Sequence, residues 1–268
     1  MIKLALCQIR TELDREETMN KAERMIREAA ANGADFTVLP EMFSCPYSRK
    51  YFRSFAAVGH ESTVAILSAL AKELGIYIVG GSVPESADGK LYNTCFIFDR
   101  EGRQIARHRK VHMFDNDSLN VHESHTFSPG SEITVFDTEF GKIGCAVCFD
   151  VRFPELFRAM AMRGAKLVFL PAQFNTMTGP ASWELLLRSR ATDNQLFIVG
   201  AEAARYDGFS YECWGHSMVA DPFGAKIAEC DETEQILYVD VDLSKTEAAR
   251  EQFPVFPLLR RDIYKVAE

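Results

Sequence analysis

The chain has 268 residues, enough for one sizeable core or two smaller ones, and its 47% hydrophobic and 25% charged residues suit a water-exposed globular fold. Its net charge of −8 argues against nucleic acid or an anionic membrane as the main partner, and no apolar run approaches the roughly 18 residues of a membrane span. Seven cysteines, odd in number and mostly inside apolar runs, fit reduced thiols in a cytoplasm better than a disulfide framework, and "MIKLALCQIR" does not read as a signal peptide.

Short β-rich runs alternate with helical patterns. "IKLALCQI" reads as a strand, and residues 14 to 32 as an amphipathic helix ended by Gly33. "FTVLP" is a strand stopped by Pro40. A helix follows over 61 to 74, closed by Gly75, and then the strand "IYIVGG". "YNTCFIFD" and "RQIARHRK" read as a hairpin, as do "EITVFDT" and "KIGCAVC" with a turn at Phe140-Gly141. A helix over 154 to 163, strand "KLVFLPA", helix 180 to 194 and strand "QLFIVGAEA" come next. A last hairpin turns at "DPFG", followed by "ILYVDVD" and a polar helical tail. No linker or repeat interrupts this order, which predicts a single α/β domain over residues 1–268 with some antiparallel pairing.

The stretch 111 to 130, "VHMFDNDSLNVHESHTFSPG", is the longest without periodicity, and long ordered loops in compact domains are often functional. His108, His112, His122 and His125 crowd into and beside it, which suggests zinc with Cys148 as a fourth ligand. Their spacing is that of a hairpin and a loop, however, and solvated loop histidines account for them as well.

"GCAVCFDVRFPELFR" holds two cysteines three residues apart. In an extended strand Ile143, Cys145 and Val147 share one face and Gly144, Ala146 and Cys148 the other, so the two thiols point opposite ways. That disfavours a redox pair and leaves Cys145 to core packing. Cys148 closes the strand, where α/β folds place their sites, with only Gly144 and Ala146 beside it on its face. It is either a nucleophile or one more small buried hydrophobe. Glu41 and Lys110 also stand at strand ends. Together the three would supply a carboxylate base, a thiol nucleophile and a fixed cation. No serine-nucleophile elbow, phosphate loop or dinucleotide fingerprint competes with them.

"LPEMF", "HRKVHMFD" and "GCAVCFDVRFPEL" resemble, in this order, the three catalytic segments of the nitrilase superfamily of carbon–nitrogen hydrolases. The resemblance runs from "LALCQI" to "RRDIY". It is most like the omega-amidase branch, through "PYSRKYF", "ESHTFSPG", "FNTMTGPASWELLLRSRATDNQ" and "WGHSMVADPFG". Ser182 is a departure, standing where many relatives have histidine.

The resemblance implies a four-layer αββα sandwich with mixed β-sheets flanked by helices, paired as a homodimer or larger. The helix "PELFRAMAMRGA" and a tail of about 246–268 would make the contact. It implies no metal and no organic cofactor. It makes Glu41 the base, Cys148 the nucleophile, and Lys110 with the backbone N–H of Phe149 the oxyanion donors; Glu123 would orient Lys110. The implied substrate is a small linear ω-amide of a dicarboxylic or 2-oxo acid, such as 2-oxoglutaramate or succinamate. N-carbamyl amidase, deaminated-glutathione amidase and nitrilase are alternatives with the same triad; an idle binding protein would have lost a triad member. A free carboxylate on the substrate asks for a cation, and Arg152 is the expected one. Phe43, Tyr47, Phe114, Phe174 and Met177 are the expected pocket walls.

Overall fold

The computed structural model describes residues 1–57, 60–206 and 211–265; the last three residues of the expected contact tail lie outside them. Strand β1 (Ile2–Gln8) leads to α1 (Arg15–Ala31), which starts where the Asp14 carboxylate accepts the N–H groups of Glu16 and Glu17. After β2 (Phe36–Val38) come α2 (Arg49–Ala57) and α3 (Glu61–Leu74), the latter closed by left-handed Gly75. Strands β3 (Tyr77–Val79), β4 (Val83–Ala87), β5 (Lys90–Phe98) and β6 (Gln104–Arg109) follow. The aperiodic stretch contains the short pair β7 (Asp115–Asn116) and β8 (Val121–His122). Then come β9 (Thr134–Thr138), β10 (Gly141–Cys145), α4 (Pro154–Met162), β11 (Leu167–Ala172), α5 (Gly179–Asn194) and β12 (Phe197–Glu202). The chain continues through β13 (Met218–Ala220), β14 (Lys226–Glu229), β15 (Gln235–Val241) and α6 (Ser244–Gln252).

Two sheets carry the fold. The first runs β15-β1-β2-β3-β5-β4 with β6 also on β5, and the second β14-β13-β12-β11-β10-β9. Alternation along β1 shows how they stack. Leu4 and Leu6 join a core shared with Leu167, Phe169 and Val199 of the second sheet, and the Phe36 and Phe169 rings meet across it at 5.3 Å. Cys7 and Ile9 face the other way, against Met25 and Ile26 of α1 and with Leu67 and Leu70 of α3. On the far side α5 lies directly on β12, where a Cβ on Gly200 would reach within 2.6 Å of the Trp183 ring. The result is helices, sheet, sheet, helices, the four layers that the family resemblance implies.

Sequence and structure part at a few places. Helix α2 is an element that sequence reading did not assign; it is short and amphipathic, with Tyr51, Phe52 and Phe55 packed in the Met42–Tyr47–Phe127 cluster and Ala56 also buried. Strand β4 is hidden by Pro84, which is tolerated because β4 is an edge strand. The β9–β10 turn is Glu139-Phe140, one residue earlier than expected, with Gly141 already in the ladder. Strand β10 stops at Cys145, so the alternation does not extend to Cys148; and the space at Gly144 is filled, a Cβ there meeting the Met160 sulfur at 2.7 Å.

The corner between β3 and β4 clamps the end of β2. Ser82 donates its N–H to the Pro40 carbonyl (3.1 Å) and its hydroxyl accepts the Met42 N–H (3.0 Å), one bond on each side of Glu41. Gly81 makes this approach possible, with φ +59° and only 2.1 Å from an ideal Cβ to the Pro40 oxygen. Gly81→Ala should therefore lower the melting temperature more than Gly89→Ala. The latter has a similar φ of +73° but open space around it, so it carries only the left-handed backbone cost of about 1–2 kcal/mol. Equal losses in thermal unfolding would show that the close approach to Pro40 contributes nothing.

Candidate active site

The ends of several strands converge where the two sheets meet. Glu41 follows β2 and Lys110 follows β6 on one sheet; Cys148, Gln173 and Glu202 follow or end β10, β11 and β12 on the other. Lys110 is wholly buried. Its ammonium donates to Glu41 Oε1 at 2.9 Å and to Glu123 Oε1 and Oε2 at 3.0 and 2.8 Å. Burial alone would lower the lysine pKa, but the charges of Glu123 and Glu41 outweigh it and hold the ammonium well above its usual range. Glu123 also accepts the Tyr47 hydroxyl at 2.5 Å and the Phe114 N–H at 2.6 Å. Glu41 accepts from Asn93 Nδ2 (2.7 Å) and the Gln173 N–H (3.1 Å), and burial raises its pKa despite the attraction of Lys110.

Cys148 is not the last residue of a strand. After extended Val147 it takes φ +46°, an uncommon conformation for a side-chain-bearing residue, and opens a 3-10 turn through Arg152. Burial and the nearby Glu41 carboxylate raise the thiol pKa while Lys110 opposes them, so the sulfur rests protonated beside a carboxylate able to accept its proton. Its Sγ lies 3.9 Å from the Gln173 carbonyl. Cys145 stays in the core between the sheets, facing Cys95, and all seven cysteines are free.

Asp150 ties this turn to the segment carrying Lys110. Its Oδ2 accepts the Val147 N–H and His108 Nε2, both at 3.0 Å; its Oδ1 accepts the His112 N–H (2.9 Å) and His112 Nδ1 (2.8 Å). These hydrogen bonds depress its pKa against the penalty of complete burial. Two of the four clustered histidines are therefore occupied by a carboxylate, and His122 stacks on His125 at 4.9 Å. Among the described residues no group of histidine, cysteine and acidic side chains is arranged to hold a metal.

The expected pocket walls separate into three groups. Tyr47 and Met177 line a cavity of about 430 Å³ that borders Glu123 and is also lined by Arg49, Asn175 and Tyr211. Phe43 is not a wall: the turn after left-handed Met42 drives it into the core beneath α1. Phe114, Phe149 and Phe174 gather around the Cys148 turn, with the Phe114 and Phe149 rings 5.1 Å apart. The Arg152 guanidinium sits 5.9 Å and 5.8 Å from the Phe149 and Phe174 rings and donates to Ser182 Oγ at 3.0 Å. Arg152 is not among the residues lining the cavity.

Sequence reading missed Asn93, Asp150, Gln173, Tyr211 and Glu202. Gln173 and Glu202 follow or end apolar strands, the signal that singles out Glu41, and that signal would have found them. Glu202 has no solvent exposure, and both its oxygens accept the Phe174 N–H at 2.9 and 3.0 Å. Tyr211 donates its hydroxyl to the Gln173 carbonyl at 2.7 Å, tilts against Tyr47 with ring centroids 4.5 Å apart, and lines the cavity.

The family model described as carbon-nitrogen hydrolase matches residues 3–251 of this chain. Proteins named omega-amidase NIT2 from Homo sapiens and Bos taurus are 44% and 43% identical to it over 267 residues, covering 98% of this chain and 97% of each relative. The crystal structure of Saccharomyces cerevisiae Nit3, described as a member of branch 10 of the nitrilase superfamily, matches with a TM-score of 0.89 at 39% identity. That match covers 97% of this chain and 96% of that one.

Glu202 provides a test of the site's electrostatics. Burial, then repulsion from Glu41, lift its pKa well above the usual carboxylate range against the Phe174 N–H. The folded protein thus binds this proton more tightly than the unfolded chain. The stability it contributes is full below the unfolded value of about 4.3 and is lost as pH rises through the raised folded value. Glu202→Gln removes this titration. Its melting temperature relative to wild type should therefore climb as pH rises above the unfolded carboxylate value of about 4.3. A difference that stays flat over that range would contradict the assignment.

Proposed function

The chain belongs to the carbon–nitrogen hydrolase family of the nitrilase superfamily and is an amidase, and we propose that it hydrolyses small linear ω-amides through a thioester on Cys148. The observation that carries this reading is the buried Lys110 ammonium held between Glu41 and Glu123, with the Cys148 thiol beside Glu41. The names of the omega-amidase relatives support the substrate class, a monoamide of a dicarboxylic or 2-oxo acid such as succinamate or 2-oxoglutaramate.

An amide is a weak electrophile with a poor leaving group, so the reaction divides into two covalent steps. Glu41 takes the thiol proton as Cys148 attacks the carbonyl carbon. The developing oxyanion is met by the Lys110 ammonium and the backbone N–H of Phe149, donors whose individual loss typically costs about 3–4 kcal/mol. Glu41 returns the proton to the departing nitrogen, the C–N bond breaks, ammonia leaves and a thioester remains. Water then attacks the thioester with Glu41 again as base, releasing the acid and restoring the thiol. Glu123 keeps Lys110 in place and charged throughout. A second copy of the chain is the proposed partner of α4 and the tail, where Phe253, Leu258 and Ile263 are exposed.

Cys148→Ala should abolish ammonia release from succinamate with circular dichroism unchanged, whereas Cys145→Ala should keep most of the activity because its sulfur only packs between the sheets. Glu41→Gln should lose roughly 10²–10⁴-fold in kcat. Hydroxylamine added during turnover should be acylated to a hydroxamate. Equal loss at both cysteines, or no hydroxamate under conditions of full turnover, would rule out the Cys148 thioester. Because Glu41 is the base and burial raises its pKa, the acid limb of kcat/KM should lie above the ordinary carboxylate value of about 4.3.

A further inference from the structure

A substrate that carries a carboxylate meets an electrostatic difficulty at this site. Two buried glutamates, Glu41 and Glu123, stand against the Lys110 ammonium, which is already committed to both. An incoming anion therefore needs a positive group outside that cluster. Arg152 does not supply it to the cavity beside Glu123, since it is drawn to Ser182 between two phenylalanine rings and lines no part of that cavity.

Arg49 does line it. It opens α2, is exposed, and makes no hydrogen bond or ion pair among the described residues. Glu212, the acid on the same wall, accepts from the Thr176 hydroxyl at 3.2 Å and lies 4.0 Å from Arg205, so it does not neutralise Arg49. Arg49 follows two residues after Tyr47, whose hydroxyl rests on Glu123. Glu123, the partner of Lys110, and Arg49, a guanidinium with unused donors, thus both line this cavity.

We infer that Arg49 binds the free carboxylate of the substrate and makes this enzyme selective for ω-amides of dicarboxylic acids over neutral amides of equal length. This rests on the ω-amide reading above and adds the residue that enforces it. A guanidinium offers two parallel N–H groups to a carboxylate, so the contact orients the acyl chain as well as attracting it. It acts mainly before the chemical step, through KM.

Succinamate and butyramide test it, because they share a four-carbon chain and differ in the terminal carboxylate. The readout is the ratio of their kcat/KM values in wild type, Arg49→Gln, Arg49→Glu and Arg152→Gln. Arg49→Gln should lower the succinamate-to-butyramide ratio at least fivefold, mostly through the KM for succinamate, and Arg49→Glu should lower it further. Arg152→Gln should depress both substrates by a common factor. If wild type shows no preference for succinamate, the ω-amide reading fails and this assignment with it. If wild type prefers succinamate and Arg49→Gln changes the ratio less than fivefold, or the ratio collapses in Arg152→Gln instead, the reading stands and the Arg49 assignment is overturned.

Discussion

Lys110 carries a full charge where no water reaches it, and everything around it answers to that fact. Removing an ion from water costs several kcal/mol, which attraction repays only when the partners are close and their remaining hydrogen-bonding capacity is filled. Two carboxylates within 3.0 Å meet the first requirement. Asn93, the Gln173 N–H, the Tyr47 hydroxyl and the Phe114 N–H meet the second by occupying the remaining lone pairs of those carboxylates. Such a cluster is sensitive: loss of one member leaves an unpaired buried charge.

That sensitivity explains why the surrounding scaffold is so strongly cross-tied. Glu41 reaches its position on a strand end clamped by Ser82 and by the Gln173 side chain, which donates to the Glu41 carbonyl at 2.6 Å. Cys148 reaches its position on a strained turn that Asp150 binds to His108 and His112, the residues flanking Lys110. One carboxylate therefore keeps Cys148 and Lys110 in register although they come from different sheets. The two-sheet core supplies the rigidity, since its close-packed side chains shift little under local strain. The proposed mechanism depends on such prepared geometry, with the Lys110 ammonium charged and oriented before substrate arrives.

The same charges shape what the site accepts. Burial and Glu41 disfavour the thiolate of Cys148, and the proposed proton transfer to Glu41 is what would make it a nucleophile. The excess of acidic groups near the sulfur is tolerable for a neutral amide end and hostile to a carboxylate. The two ends of an ω-amide thus have opposite electrostatic needs. The cavity beside Glu123 brings a buried acid and the exposed Arg49 onto one surface.

Residue patterns are enough to place most helices and strands, to put Cys145 in the core, and to mark Glu41, Lys110 and Cys148 at or near strand ends. These are local properties: periodicity sets which face is buried, and glycine, proline and capping residues set where elements stop. Motif resemblance joins the three residues into one site. The tertiary structure decided what local pattern does not encode. Gln173 meets Glu41 across 132 residues of sequence and Asn93 across 52, contacts fixed only when two sheets stack. Phe43 went to the core and Arg152 to Ser182 because a left-handed residue and a tight turn redirected them. Glu202, an acid ending an apolar strand, became part of the cluster because the register of β11 and β12 sets Ala172 beside it and brings the following Phe174 N–H onto its carboxylate. Sequence determined which residues could do chemistry at a strand end; the packing of two sheets decided which ends meet, because burial energies and long-range pairing are summed over the whole core.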